Sequence, residues 1–296
     1  CVSERRPQFG NKTYRIGIGD INKFPMTPAR EAALDTIPRN ISAALKERGC
    51  DPILLEYEEI KDPKLFAETV KRVDALILSR AYIDEKTLSN LATVPHLPVV
   101  VNRTEEVLEL PYHQIVVDYR RGLREAARKT AELNPSEIIG VYEEHHHGFL
   151  RLNVFKEELE RAGYPMERFH DMPVAEWGLR SGIPSYRLGM KLSKTLPGKF
   201  LFSTSDVVSF SMMEAFFDAG LNPGKDFQML SVDNLEGIGY LPFKVPMLTA
   251  VNGHDIPLSQ RTAELVLQLL EKPVTDENII IRLMTSLVVR RTAFSE

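Results

Sequence analysis

Apolar residues in this chain group into two kinds of run that alternate along its length. Short β-branched or continuously apolar runs occur at YRIGIGD (14–20), DPILLEY (51–57), ALILS (75–79), PVVVN (98–102), QIVVD (114–118), EIIGVYE (137–143), KFLFST (199–204) and FQMLSVD (227–233). Between them, RNISAALKERG, YRRGLREAARKTAELN, RLNVFKEELERAG, SYRLGMKLSKTL and VVSFSMMEAFFDAG place apolar positions three and four residues apart, and several stop at Gly or Asn. The spacing predicts helices there and strands at the short runs. Strands with no polar alternation are buried on both faces, which implies parallel sheets covered by helices, an α/β class. Eight such strands in 296 residues divide more readily into two lobes than into one core.

Several of these runs end abruptly in polar residues: Asp20 after RIGIG, Asn102 and Arg103 after PVVV, and Asp233 after MLSV. In open α/β sheets ligands bind beyond the carboxyl ends of the strands, so these tips are candidate ligand contacts, and two facing lobes would enclose a cleft. Asp233 and Asn234 could equally start a turn.

Composition narrows the function classes. The chain is 43% hydrophobic and 26% charged, with a formal net charge of −4, which suits a globular protein and gives no electrostatic reason for this segment to bind nucleic acid. Cys1 and Cys50 have neither metal nor redox spacing, and no apolar run approaches the length of a spanning helix. GIGDIN (17–22) starts like a dinucleotide fingerprint, but Asn22 holds the third glycine position and Pro25 and Pro28 follow. Three adjacent histidines, His145 to His147, cannot readily converge on one ion, so they read as a polar loop. No nucleophile elbow, phosphate loop or CxxC is present, which argues for a binding module rather than an enzyme, with no cofactor and no metal. Trp177, the only tryptophan, either stacks on a ligand or packs under a loop.

The order of segments resembles the effector-binding region of the lactose- and galactose-repressor family, which shares the periplasmic-binding-protein type I fold. The resemblance runs from Tyr14 to Phe294. It is carried by IVVDYRRGLREAARKTAELNPSEIIGVY, RLNVFKEELERAGY, FLFSTSDVVSFSMMEAFFDAGLNPGKDFQMLSVDN, PMLTAVN and SLVVRRTAF, in that order. It implies two Rossmann-like lobes joined by three crossovers, near Asp118, near 249–252 and near 278–282. The first lobe would be 14–117 plus 252–278, the second 118–251 plus 279–296, with 1–13 a linker remnant. It also implies ligand roles for Arg151, although Val154 replaces the family's glycine, and for Asp233, Asp118 and Ser205, with Asp206 mainly structural. Ser79, Arg80, Asn102 and Arg103 would rim the first lobe, and Trp177 falls near the family's stacking position.

The function implied by the resemblance is that of a cytoplasmic bacterial transcriptional regulator, of repressor type, whose two-lobe region senses a sugar-like effector and forms a homodimer without contacting a membrane. Operator DNA would be bound by an N-terminal domain, and CVSERRP resembles the linker of gluconate-repressor-type winged-helix regulators. Dimer contacts are expected on the helix after Asp206, at Phe210, Met213 and Phe217. The alternative is a periplasmic sugar-binding lipoprotein anchored through Cys1. Removing Arg151 or Asp233 is expected to weaken effector binding at least about tenfold and to leave the thermal midpoint nearly unchanged.

Overall fold

A computed structural model describes residues 13–19, 28–174, 182–253, 256–272 and 277–294. Two bodies emerge, each built on its own six-stranded sheet. The first begins with β1 (Arg15–Gly19), α1 (Pro28–Glu47, in this body from Leu34 on), β2 (Asp51–Leu54), α2 (Tyr57–Lys61), α3 (Pro63–Thr69), β3 (Ala75–Ser79), α4 (Glu85–Ala92), β4 (Val99–Thr104) and β5 (His113–Asp118). The second contains α5 (Arg120–Leu133), β6 (Ile138–Glu143), α6 (His146–Arg161), β7 (Phe169–Val174), α7 (Gly182–Leu192), β8 (Phe200–Ser203), α8 (Asp206–Asp218), β9 (Gln228–Asp233) and β10 (Thr249–Asn252). Then α9 (Ile256–Glu271) and β11 (Ile280–Met284) return to the first body, and β12 (Ser286–Val288) to the second.

Strand order is β11-β5-β4-β3-β1-β2 in the first sheet and β12-β10-β9-β8-β6-β7 in the second. Every consecutive pair from β5 to β2, and from β10 to β7, is parallel, whereas β12 runs antiparallel to β10. This is the two-lobed α/β arrangement that the alternation predicts, with sheet membership changing three times along the described strands. The last change comes after Leu283, beyond the range read from the sequence, because β11 pairs in the first sheet. Residues 279–283, expected in the second lobe, therefore belong to the first body.

Continuously apolar strands make the cores. Leu76, Leu78, Val99 and Val101 meet Leu55, Ile60, Phe66, Tyr82 and Leu91 in the first body. In the second, Val141, Leu201 and Met229 meet Leu192, Met212, Met213 and Phe216. Each such side chain contributes roughly 1.5–3 kcal/mol on burial. The strands must lie close, and a β-carbon on Gly17 would come within 2.7 Å of Leu55 and 2.8 Å of Leu76.

Two local readings change. The histidine run is not a loop: His145 caps α6, its Nδ1 accepting the Gly148 N–H at 3.3 Å, and His146 and His147 form the first turn. Met213 is fully buried and Phe210 nearly so, which makes them core residues of the second body, while Phe217 is partly buried against Phe243. Asp20, Trp177 and the 1–12 stretch lie outside the described residues.

Candidate functional site

In the second body, Asp233 stands at the carboxyl end of β9 and Arg151 in the second turn of α6. Both are more than nine-tenths buried, and they face each other, Arg151 Nη1 lying 3.0 Å from Asp233 Oδ1. The same guanidinium donates to the Thr204 carbonyl at 2.8 Å and to the Tyr119 hydroxyl at 3.1 Å. Tyr119 in turn donates to Asp233 Oδ1 at 3.4 Å, and the guanidinium carbon lies 4.5 Å from the centre of its ring. A cation over an aromatic face gains further attraction once water is excluded. The three side chains thereby hold one another in place.

The register of the sheet adds a fourth member. Asn252, at the end of β10, pairs with Asp233, and its Oδ1 has no hydrogen-bond partner among the described residues. Backbone conformation departs from the strand here: Asp233 has φ 122° and Asn234 φ 62°. Positive φ in a residue with a β-carbon is strained and concentrates at functional sites. Arg290 holds the turn, Nη2 donating to Asn234 Oδ1 at 2.7 Å and Nη1 to the Leu248 carbonyl at 2.8 Å.

Two turns after Arg151, Glu158 ties α6 to α5. This buried carboxylate accepts from Arg124 at 2.9 Å and from Arg120 at 3.1 Å, both on α5, and from Arg161 at 2.6 Å. Burial alone would raise its pKa, but the arginines outweigh burial and hold it below the usual carboxylate range.

Ser205 caps α8 and is buried; its carbonyl accepts the hydroxyls of Ser203 and Ser209, and its side chain makes no capping bond. The Asp118 carboxylate accepts the Arg120 N–H at 3.0 Å, so it closes the first turn of α5. Asp206, next to Ser205, is 1% exposed and accepts the Leu235 N–H at 2.7 Å. Burial foremost, and then the charge of Asp233, push its pKa from 3.8 up to about 8, against the opposing pull of Ser231 and the Leu235 amide; Glu236 adds to the rise. Burial and the neighbouring charge both favour the neutral form of Asp206.

The first body presents a set of its own. Ser79 and Asn102 are register partners at the carboxyl ends of β3 and β4, and both are buried. Asn102 Oδ1 lies 3.2 Å from Thr262 Oγ1, while Nδ2 has no partner among the described residues. Turning the amide round would only exchange which of its atoms is left over. Arg103 sits at φ 57°, where a bulge shifts the β4–β5 register. Arg80 is turned to its own segment, donating to the Ile83 carbonyl at 3.1 Å.

Of the residues expected from sequence, the structure brings Arg151 and Asp233 together in one body and places Ser79 beside Asn102 in the other. Ser205 and Asp118 sit at helix starts near the strand ends. Tyr119, Asn252 and Arg290 were not picked out. The pairing of PMLTAVN with MLSVDN could have found Asn252, whereas nothing local marks Tyr119 or Arg290. Among the described residues, no group of three or more His, Cys, Asp or Glu is placed to hold a metal ion.

No family model matches the chain, and no curated protein matches it. Solved structures do. A LacI family transcriptional regulator from Enterococcus faecium, with bound ribose, aligns at a TM-score of 0.75 and 20% identity over 94% of this chain and 98% of that one. The lac repressor dimer bound to operator and the anti-inducer ONPF aligns at 0.70 and 19% identity, over 97% of this chain and 96% of that one. A periplasmic binding protein/LacI transcriptional regulator from Alkaliphilus metalliredigens, complexed with D-xylulofuranose, gives 0.69 and 18% over 96% of this chain and 100% of that one. The chain has the fold of these proteins.

Proposed function

We propose that this chain is the effector-sensing and dimerising part of a bacterial transcriptional regulator, and that its effector is a small polyhydroxylated molecule of the sugar class. The observation that carries the reading is the buried Arg151–Tyr119–Asp233 trio at the carboxyl end of a parallel sheet. A stable core needs no such group, since well-packed apolar residues of similar volume commonly serve as well or better. Its retention fits recognition of hydroxyls, which both accept and donate.

Charge narrows the class. Asp233 offsets Arg151, and Asp206 stays neutral, so this set carries no net positive charge to attract an anion. A neutral sugar fits better than a sugar acid. Asn252, register partner of Asp233, supplies a further hydrogen-bonding group in the second body. Two of the similar solved proteins carry ribose or D-xylulofuranose, which is the same ligand chemistry.

DNA recognition belongs to another domain of the whole regulator, which works in the cytoplasm; no helix among the described residues is long and apolar enough to cross a membrane. The role is binding, not turnover: an effector transmits a signal only through different affinities for two conformations of the protein.

The test is calorimetric titration with a panel of neutral pentoses and hexoses and the corresponding sugar acids. Saturable binding of at least one neutral sugar, lost in Asp233→Asn, is the expected result. Heat from the acids alone would overturn the charge argument, and silence across the panel would remove the sugar reading.

A further inference from the structure

Two carboxyl groups, Asp206 and Asp233, lie in the interior of the second body beside one another. Asp206 is 1% exposed and Asp233 7%. The groups that act on Asp206 are Asp233 and Ser231 from β9, the Leu235 amide and Glu236 from the turn Leu235–Ile238; behind them, Arg151 from α6 and Tyr119 at the start of α5 meet Asp233, and Arg290 after β12 meets Glu236. Arg151 pairs with Asp233 at 3.0 Å and Arg290 with Glu236 at 3.7 Å. Among the described residues no ion pair reaches Asp206. An ionised Asp206 would therefore be a second buried negative charge without a cation, the arrangement that drives one member of a carboxyl pair to keep its proton.

The hydrogen bonding leaves one oxygen for it. Oδ2 accepts the Leu235 N–H at 2.7 Å, and Oδ1 is the atom with no partner among the described residues. The bond to Leu235 also has a mechanical role. Leu235 follows directly on Asp233 and Asn234, whose φ angles of 122° and 62° persist only if the surrounding structure holds them. Asp206 fastens the far end of that turn to the start of α8, the Asp233 carbonyl accepts the Gly253 N–H at 3.1 Å, and Arg290 grips Asn234.

We propose that Asp206 is a positioning residue that works as a neutral carboxylic acid, fastening the strained Asp233–Asn234 turn while leaving Asp233, of the two, to carry the negative charge that meets Arg151. The role of Asp233 as a ligand acceptor rests on the sugar reading above. The proton on Asp206 does not.

The pKa agrees in direction. A carboxyl raised from 3.8 to about 8 holds a proton in the native state that the unfolded chain has released, so its contribution to stability is complete below about pH 4 and is lost as pH rises to about 8. Asp206→Asn keeps the shape and the neutral state but cannot titrate.

The experiment uses no ligand, so failure to find a sugar and failure of this proposal are separate results. Thermal midpoints of the parent, Asp206→Asn and Asp233→Asn proteins are followed from about pH 5 to about pH 9, with infrared spectra of the first two. The parent is expected to lose ground steadily against Asp206→Asn up to about pH 8 and to run parallel beyond it. The parent-minus-Asn difference spectrum is expected to show a carboxylic-acid carbonyl band near neutrality that vanishes at the alkaline end. Asp233→Asn should move the alkaline loss to lower pH, because the neighbouring charge is gone. Parallel melting over the whole range, or a difference spectrum with no acid band, overturns the neutral acid; an unmoved loss in Asp233→Asn overturns the coupling to Asp233.

Discussion

Replacing Arg151 by Met removes a guanidinium that is bound to Asp233, to the Thr204 carbonyl and to the Tyr119 hydroxyl inside the second body. The stem of the side chain is conserved and the charge is lost, so Asp233 becomes a buried carboxylate without this counter-ion. Breaking a buried pair from one side costs about 3–5 kcal/mol, because the remaining charge is left unsatisfied. At roughly 2–4 °C per kcal/mol for a body of this size, the thermal midpoint should fall by about 6–20 °C. The nearly unchanged midpoint expected from sequence gives way to this fall, because the pair is buried. The decisive comparison is the double variant Arg151→Met/Asp233→Leu, which removes both charges. It should recover most of the lost stability while binding no sugar, and the cycle should return a coupling of more than about 1.5 kcal/mol. Scanning calorimetry and urea unfolding at neutral pH measure it. A single-variant shift under about 2 °C, with coupling below about 0.5 kcal/mol, would refute the claim that this pair is a desolvated, mutually dependent unit.

Three further outcomes are expected from the same geometry. A methyl group on Gly253 would overlap the Tyr119 hydroxyl, so Gly253→Ala should push the ring off Arg151 and Asp233 and weaken sugar binding about tenfold or more, as titration calorimetry would show; an unchanged affinity removes Tyr119 from the site. Glu158→Gln leaves Arg120, Arg124 and Arg161 without their shared carboxylate and should cost about 2 kcal/mol at pH 7. Because the Glu158 pKa is lowered in the native state, that difference should persist above the ordinary glutamate range and shrink as pH falls below it; a gap that stays constant into acid contradicts the network. Sedimentation of the chain at micromolar concentration should give a dimer, and Glu214→Arg together with Ile183→Lys, beside Tyr186, Val207, Phe210 and Tyr240 on one face of the second body, should shift it toward monomer; a monomer in the parent protein would favour a transport role over a regulatory one.

Continuously apolar strands that alternate with helical spacing can be buried only in parallel sheets covered on both faces, so the class of fold was legible without any structure. Asp233, Asn102 and Arg103 were equally legible near strand ends, since a polar residue that closes a mainly apolar run lies where a strand runs out. The partners of these groups were not. Whether the Arg151 charge meets solvent or Asp233 depends on bringing α6 against β9, some 80 residues apart, and no local pattern records that encounter. Tyr119 looks like an ordinary first residue of a helix until Gly253 leaves room for its ring. The proton on Asp206 is furthest from sequence of all: an Asp at a helix start reads as an ionised dipole partner. Only the combined burial of Asp206 and Asp233, with Arg151 committed to the latter, makes the neutral form the stable one. The helical pattern after Asp206 gives the positions of Phe210 and Met213 but not their direction, because α8 is apolar around most of its circumference and the neighbours that cover it come from α7 and the 240–243 segment. Periodicity fixes an element and the face it buries; the partner of each polar group is set by chain segments distant in sequence, and those partners make up the candidate site.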